Sequence, residues 1–227
     1  MPTELKISVN SSLFLRDPEE TDLGRKMIQH SIIMIDRMGL DQFTFKKLAQ
    51  EIQSTEASMY RYFESKHMLL YYLLSWYWTR SLFLFDYQTS NISDPVKKIR
   101  IALEVLLHMI EDDPATTHVD EGALSRIAVL ESAKVYRVGS ENKSEREAKS
   151  EAYHDFCQRI AKVMKEVSPR YRYPKSLVIA VISTIQRQSF YLDNLPTLTD
   201  IKKSKTSKKE LAKFVEQLVF RTLGVEG

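Results

Sequence analysis

The chain has 227 residues, 43% apolar and 28% charged, with six Gly, seven Pro and one Cys. A single cysteine excludes an internal disulfide framework and suits a reducing cytosol, and a formal net charge of only +3 excludes a globally basic chain. Few Gly and Pro, with little period-2 alternation, predict an all-α protein of about nine helices, built as one large domain or as a small head on a larger body.

The opening MPTELKISVN lacks a basic-then-apolar signal pattern, and residues 1–16 read as a flexible N-terminal arm. Asp17-Pro18-Glu19-Glu20 has the form of a helix start: a cap, Pro at the first position, acid at the third. The first helix then runs to Met38 and stops at Gly39, with Met27, Ile28, Ile32 and Ile35 facing inward. Thr44 stands where a hydroxyl caps a second helix, whose Phe45, Leu48, Ala49 and Ile52 fall at i, i+3, i+4 and i+7. Gln53-Ser54 interrupts that stripe. Thr55 and Ser58 open a third, shorter helix with Met59, Tyr60 and Phe63 as its apolar set.

Ser65 reads as the N-cap of a long helix reaching about Tyr87. Its apolar run, Met68 to Phe85, is broken by Ser75, Thr79 and Arg80 and falls short of the ~18 uncharged residues of a membrane span. TSNISDP ends it, and Asp94-Pro95 starts another helix that stops at Asp112-Asp113-Pro114. Further helices are expected over Val119–Tyr136, from the Ser144-x-x-Glu147 capping box to Val167, across LVIAVISTI (177–185), and from Ser207-x-x-Glu210 to the end. The 177–185 segment is apolar nearly all round and should be covered on more than one side. Leu211, Phe214, Val215, Leu218 and Val219 form a stripe on the last helix. Together these suggest pairing across a two-fold axis, with closure of the monomer core as the alternative.

Two short helices this close, the second opening with small polar residues, fit a helix-turn-helix, in which the second helix enters the major groove. Ala57 and Ser58 let the backbone approach, and Arg61 can fork onto guanine O6 and N7. Lys46, Lys47, Lys66 and the phenols of Tyr60 and Tyr62 suit phosphates. Spacing and caps alone leave open an ordinary helical hairpin. Between Thr21 and Leu70, seven cationic residues face six acidic ones, so this near-neutral head must gather its positive charge on one face.

Met27-Ile28, Ile32, Met34-Ile35, Gly39, Phe43-Thr44, Leu48-Ala49 and the run Tyr60-Arg61-Tyr62-Phe63-Glu64-Ser65-Lys66 resemble the DNA-binding domain of TetR-family transcriptional regulators. The resemblance covers about residues 20–70. It implies a helix-turn-helix DNA-binding domain over 17–66 and a helical regulatory and dimerisation domain over 67–227. It further implies backbone contacts from Thr44, Tyr60, Tyr62 and Lys66, and base reading by Thr55, Glu56, Ala57, Ser58 and Arg61. The expected protein is a cytoplasmic homodimer, paired through its two C-terminal helices on a double-stranded operator and released by a small-molecule ligand. Two departures stand out. The family usually places Gly and a β-branched residue where this chain has Gln53 and Ser54; a positive φ at 53 would cost about 1 kcal/mol. Glu56 is also unusual beside phosphates, although a carboxylate can accept from cytosine N4.

Ligand-lining candidates in the body are Tyr72, Trp76, Phe83, His108, Tyr153, Cys157, Gln186 and Tyr191, although helical aromatic stripes are more often plain core. Cys157 reads as a small buried apolar residue rather than a redox sensor. Glu151-x-x-His154 has the spacing of a di-iron ligand pair, and His108-x-x-Glu111 resembles its reverse. A di-iron bundle needs two such units plus two further Glu, so neither a metal nor any other cofactor is expected. The chain has neither a Gly-rich phosphate loop nor a nucleophile elbow, and no catalytic residues are assigned. The alternative to a regulator is a helical protein–protein adaptor retaining a non-functional helix-turn-helix.

Overall fold

Thr21, not Asp17, opens the first long helix. Asp17 Oδ1 does accept from the Glu19 N–H at 2.9 Å, but Pro18–Glu20 closes only a single 3-10 turn. Thr21 is extended, and its Oγ1 accepts from the Gly24 N–H at 3.0 Å to cap α1, Asp22–Gln42. The turn folds back instead of continuing because it lies against the helix it precedes. A Cβ at Gly24 would stand 2.2 Å from the Pro18 carbonyl oxygen. At Gly39 the backbone turns to φ 74°, ψ 159°, so α1 bends where the sequence ends it.

The computed structural model describes residues 7–108, 118–131 and 143–225, without the side chains of 108 and 143–148. The expected helix end at Asp112-Asp113-Pro114 and the stretch to Tyr136 lie outside the described residues, as do the side chains of the Ser144-x-x-Glu147 box, whose backbone is helical. After α1 come α2 Phe45–Glu51, α3 Glu56–Tyr60, α4 Lys66–Thr89, α5 Pro95–His108, α6 Glu121–Leu130, α7 Lys143–Val167, α8 Pro174–Asn194 and α9 Ser207–Leu223. Among the described residues there are nine α-helices and no strand. None of them is long and apolar enough to cross a membrane.

Local caps set most boundaries. Ser65 Oγ accepts from the Met68 N–H at 3.2 Å, Asp94 Oδ1 from Val96 at 2.8 Å and Asp120 Oδ1 from Ala123 at 2.6 Å. The final helix starts differently from the expected box. Thr206 holds the cap position without a side-chain cap bond, and Ser207 Oγ instead accepts from the Ser204 N–H at 2.7 Å.

The chain divides into two compact units, Met1–Arg80 with Met109–Tyr153, and Ser81–His108 with His154–Gly227. In the first, α1 packs on α2 and α6, and α2 packs on α3. The segment read as an arm packs here from residue 7 onward. Ile7 and Leu13 are buried, the Leu15 N–H donates to the Tyr62 carbonyl at 2.8 Å, and Phe14 meets Tyr72 edge to face. Three charged contacts tie α1, α4 and α6 into this unit. Arg80 Nε lies 2.7 Å from Glu121 Oε1 with the side chains 1% and 2% exposed. Arg126 forks onto Asp36 at 2.7 and 3.0 Å. His118 Nε2 lies 3.0 Å from Glu19 Oε2.

Tyr72 is buried beside the same Glu19 carboxylate. Burial, the Glu19 and Asp17 charges and the hydrogen bond to Glu19 push its phenol well above the ordinary range. Tyr77 is pushed up to about 12, chiefly by burial and further by Glu121, against a lowering hydrogen bond from Ser125.

In the second unit α5, α8 and α9 pack on one another. The stripe read as an intermolecular face is largely used here: Leu211, Val215 and Val219 are buried within the chain, as are Leu177, Val178, Val181, Ile182 and Ile185. What stays bare on these two helices is Ile179, 46% exposed, and Phe214, 42% exposed. Arg100 pairs with Glu216 at 2.6 Å and lies over the Phe220 ring, while Arg159 reaches Asp86 at 3.1 Å.

Candidate nucleic-acid interface

The turn between α2 and α3 is a left-handed C-cap. The Ser54 N–H donates to the Ala49 carbonyl at 2.8 Å and the Gln53 N–H to that of Gln50 at 3.3 Å, with Gln53 at φ 55°. This is the strained position that the sequence marks, held by a residue with a Cβ where glycine would be free of cost. Gln53→Gly should therefore stabilise the protein by about 0.5–1 kcal/mol, the relief of strain being partly offset by the freer unfolded chain. A higher urea midpoint at unchanged slope checks this; an equal or lower midpoint refutes it.

Beyond the turn, Thr55 caps α3 by accepting from the Ser58 N–H at 3.2 Å, and the two hydroxyls lie 2.8 Å apart. Thr55, Glu56, Ala57 and Arg61 are exposed and Ser58 is half-buried. Tyr60 is half-exposed with its ring edge on Phe45, centroids 5.1 Å apart. On α2, Thr44 caps the helix by accepting from the Lys47 N–H at 3.2 Å. Lys46 is exposed beside it, while Lys47 Nζ donates to the Gln42 carbonyl at 2.7 Å. Met59 and Phe63 face inward, as the periodicity requires. The arrangement therefore offers hydroxyls, a phenol, a free-standing guanidinium and a lysine on the exposed sides of two helices that pack together.

Two residues read as backbone contacts have other work. Tyr62 is 3% exposed, its hydroxyl lies 2.7 Å from Thr21 Oγ1, and Arg16 sits over its ring. A buried phenol so engaged holds the N-terminal segment to the reading helices and does not present itself to a phosphate. Lys66 Nζ donates to the carbonyls of Leu40, Asp41 and Phe43 at 2.8, 3.2 and 3.1 Å, at the end of α1. Its three donors satisfy carbonyls at and just beyond the end of α1. A lysine at the start of a helix carries no sequence signal for that role.

The ligand candidates are divided between the two units. Tyr72 and Trp76 are buried in the first unit, where Tyr153 packs its ring 4.5 Å from Trp78. Phe83 is exposed and stacked on Tyr87, Cys157 is buried, and Gln186 and Tyr191 are half-buried, all in the second unit. The side chain of His108 lies outside the described residues. Two pockets of the second unit are lined by none of the eight.

No protein-family model and no curated protein matches the sequence. Solved structures match it through the fold. AibR, in complex with isovaleryl coenzyme A and operator DNA, matches at a TM-score of 0.60 and 14% identity, over 86% of this chain and 98% of that one. The TetR family transcriptional regulator PfmR from Thermus thermophilus matches at 0.60 and 13%, over 86% and 97%. The superantigen PfiT matches at 0.57 and 13%, over 91% and 97%. The chain thus has the all-α fold of TetR-family regulators, with an N-terminal helix-turn-helix and a helical C-terminal domain. A superantigen shares it, so the fold alone does not decide what the chain does.

Proposed function

We propose that the protein is a DNA-binding transcriptional regulator, a repressor that a small-molecule ligand releases from its operator. The observation that carries this reading is Arg61, which stands exposed one turn on from Ala57; among the described residues no carboxylate pairs with it. In a major groove it would fork onto a guanine, with Thr55, Glu56, Ala57 and Ser58 beside the neighbouring bases and Thr44, Lys46 and Tyr60 on phosphates. Tyr62 and Lys66 would act through positioning. AibR supports the reading, since that protein is seen with operator DNA and a small molecule.

Two copies would pair through the C-terminal helices, where Ile179 and Phe214 are bare. Their reading helices would then fall in successive major grooves about 34 Å apart. A ligand in the body would shift the balance only by its differential affinity for the two head spacings. The protein would work in the cytoplasm and catalyse no reaction.

The test is selection of a duplex from a random-sequence pool, followed by titration of Arg61→Ala on the selected site. Specific binding should weaken by about 1–3 kcal/mol, with relaxed preference at one base pair. Failure to select any duplex, or wild-type affinity of Arg61→Ala across operator variants, overturns the reading.

One observation favours the adaptor. The unit holding the head carries 16 Lys and Arg against 20 Asp and Glu, a formal −4, and Glu56 is exposed on α3. Salt-dependent retention on a DNA column favours the regulator, and flow-through at low salt favours the adaptor.

A further inference from the structure

The chain's positive charge is not in its reading head. The unit Ser81–His108 with His154–Gly227 carries 17 Lys and Arg against 10 Asp and Glu, a formal +7 in a protein whose total is +3. Part of that charge lines one groove. A pocket of about 570 Å³ is walled by Leu82 of α4, by Asp155, Gln158, Arg159, Ala161, Lys162 and Lys165 of α7, and by Pro174 and Lys175 of α8. Its volume falls in the range of small-molecule sites, about 300–1,000 Å³.

The geometry points to a binding site for a small molecule bearing a pyrophosphate or an equivalent pair of phosphates. Four cations line the groove against one carboxylate, Asp155. They are set in two ways. Arg159 is held by Asp86 at 3.1 Å and Lys165 donates to the Pro169 carbonyl at 3.0 Å, so these two are fixed parts of the wall. Lys162 and Lys175 are exposed and, among the described residues, make no hydrogen bond or ion pair, so their ammonium groups are free for a ligand.

Pro174 and Lys175 are also the first residues of α8, a 21-residue helix whose N-cap, Tyr173, makes no side-chain cap bond. The positive end of that helix adds to the charge of Lys175. Leu82, Ala161 and Pro174 give the remaining wall an apolar surface, which suits the organic part of such a ligand and favours it over the bare anion. The site stands on these residues alone, whether or not the head grips DNA.

Calorimetric titration of the full-length protein with inorganic pyrophosphate, ADP and adenosine tests it. Pyrophosphate and ADP should bind saturably, with ADP the tighter, adenosine should not bind, and affinity should fall as salt is raised. The double variant Lys162→Ala/Lys175→Ala, changed only at exposed positions, should unfold at the wild-type temperature and bind ADP about ten-fold more weakly. Wild-type protein that takes up neither anion overturns the proposal, whether a second copy covers the groove or nothing does. So does adenosine binding as well as ADP, or a double variant with unchanged affinity.

Discussion

Glu121→Ala should cost about 3–5 kcal/mol, the loss typical when one partner of a buried ion pair is removed. Arg80 arises in the middle of an apolar helix, and its guanidinium is 1% exposed with Glu121 Oε1 2.7 Å away. Water cannot replace the missing carboxylate there, so the charge stays desolvated and loses the Glu121 carboxylate. The same change removes a charge that raises the Tyr77 phenol, so Tyr77 should titrate below its wild-type value of about 12. Replacing both partners, Arg80→Met with Glu121→Met, should recover most of the lost stability, because matched apolar groups do not need each other. Urea midpoints of the single and double variants decide. A single variant within about 0.5 kcal/mol of wild type, the range of ordinary surface changes, means the pair is solvated and the account is wrong.

The effect should reach the reading head as well. Glu121 opens α6, α6 packs on α1, and Arg126 of α6 forks onto Asp36 of α1. A loosened α6 therefore loosens the helix that braces α2 and α3.

What the sequence makes legible here is what is local. Thr44, Thr55, Ser65 and Asp94 lie within three residues of the N–H groups they cap, so composition and spacing suffice to find them. The strain at Gln53 is legible through the family resemblance, which places glycine at that turn where this chain has Gln53 at positive φ. Contacts between distant residues leave no such mark. Arg80 reads as a break in an apolar run, because Glu121, 41 residues on, has no local feature that singles it out. Tyr62 and Lys66 match the phosphate-contacting pattern, yet their polar atoms are taken by Thr21 and by the carbonyls at the end of α1. The last helix shows a third kind of limit. Periodicity reports that Leu211, Val215 and Val219 must be covered, but not by what, and their burial here lies within the same chain. The basic groove is invisible to motif reading because its cations are spread over two helices, although the uneven charge of the two units is present in the sequence.

Lys66→Met separates the two roles that this lysine could have. Methionine keeps the apolar stem and removes only the ammonium, which is bonded to the carbonyls of Leu40, Asp41 and Phe43. Charge-assisted hydrogen bonds contribute about 1.5–3 kcal/mol each, and three on one group are not additive, so a loss of about 2–4 kcal/mol is expected. The salt dependence of DNA binding should hardly move, because an ammonium already donating three times has no proton left for a phosphate. Were Lys66 instead a phosphate ligand, stability would stay near wild type and the slope of log affinity against log salt would fall by about one. Denaturation and salt titration on the same preparation therefore give opposite results under the two roles. A stable variant with a reduced slope would return Lys66 to the DNA-facing set beside Lys46 and Arg61. An unstable one with an intact slope would make it the clasp that holds the bend of α1 against the start of α4.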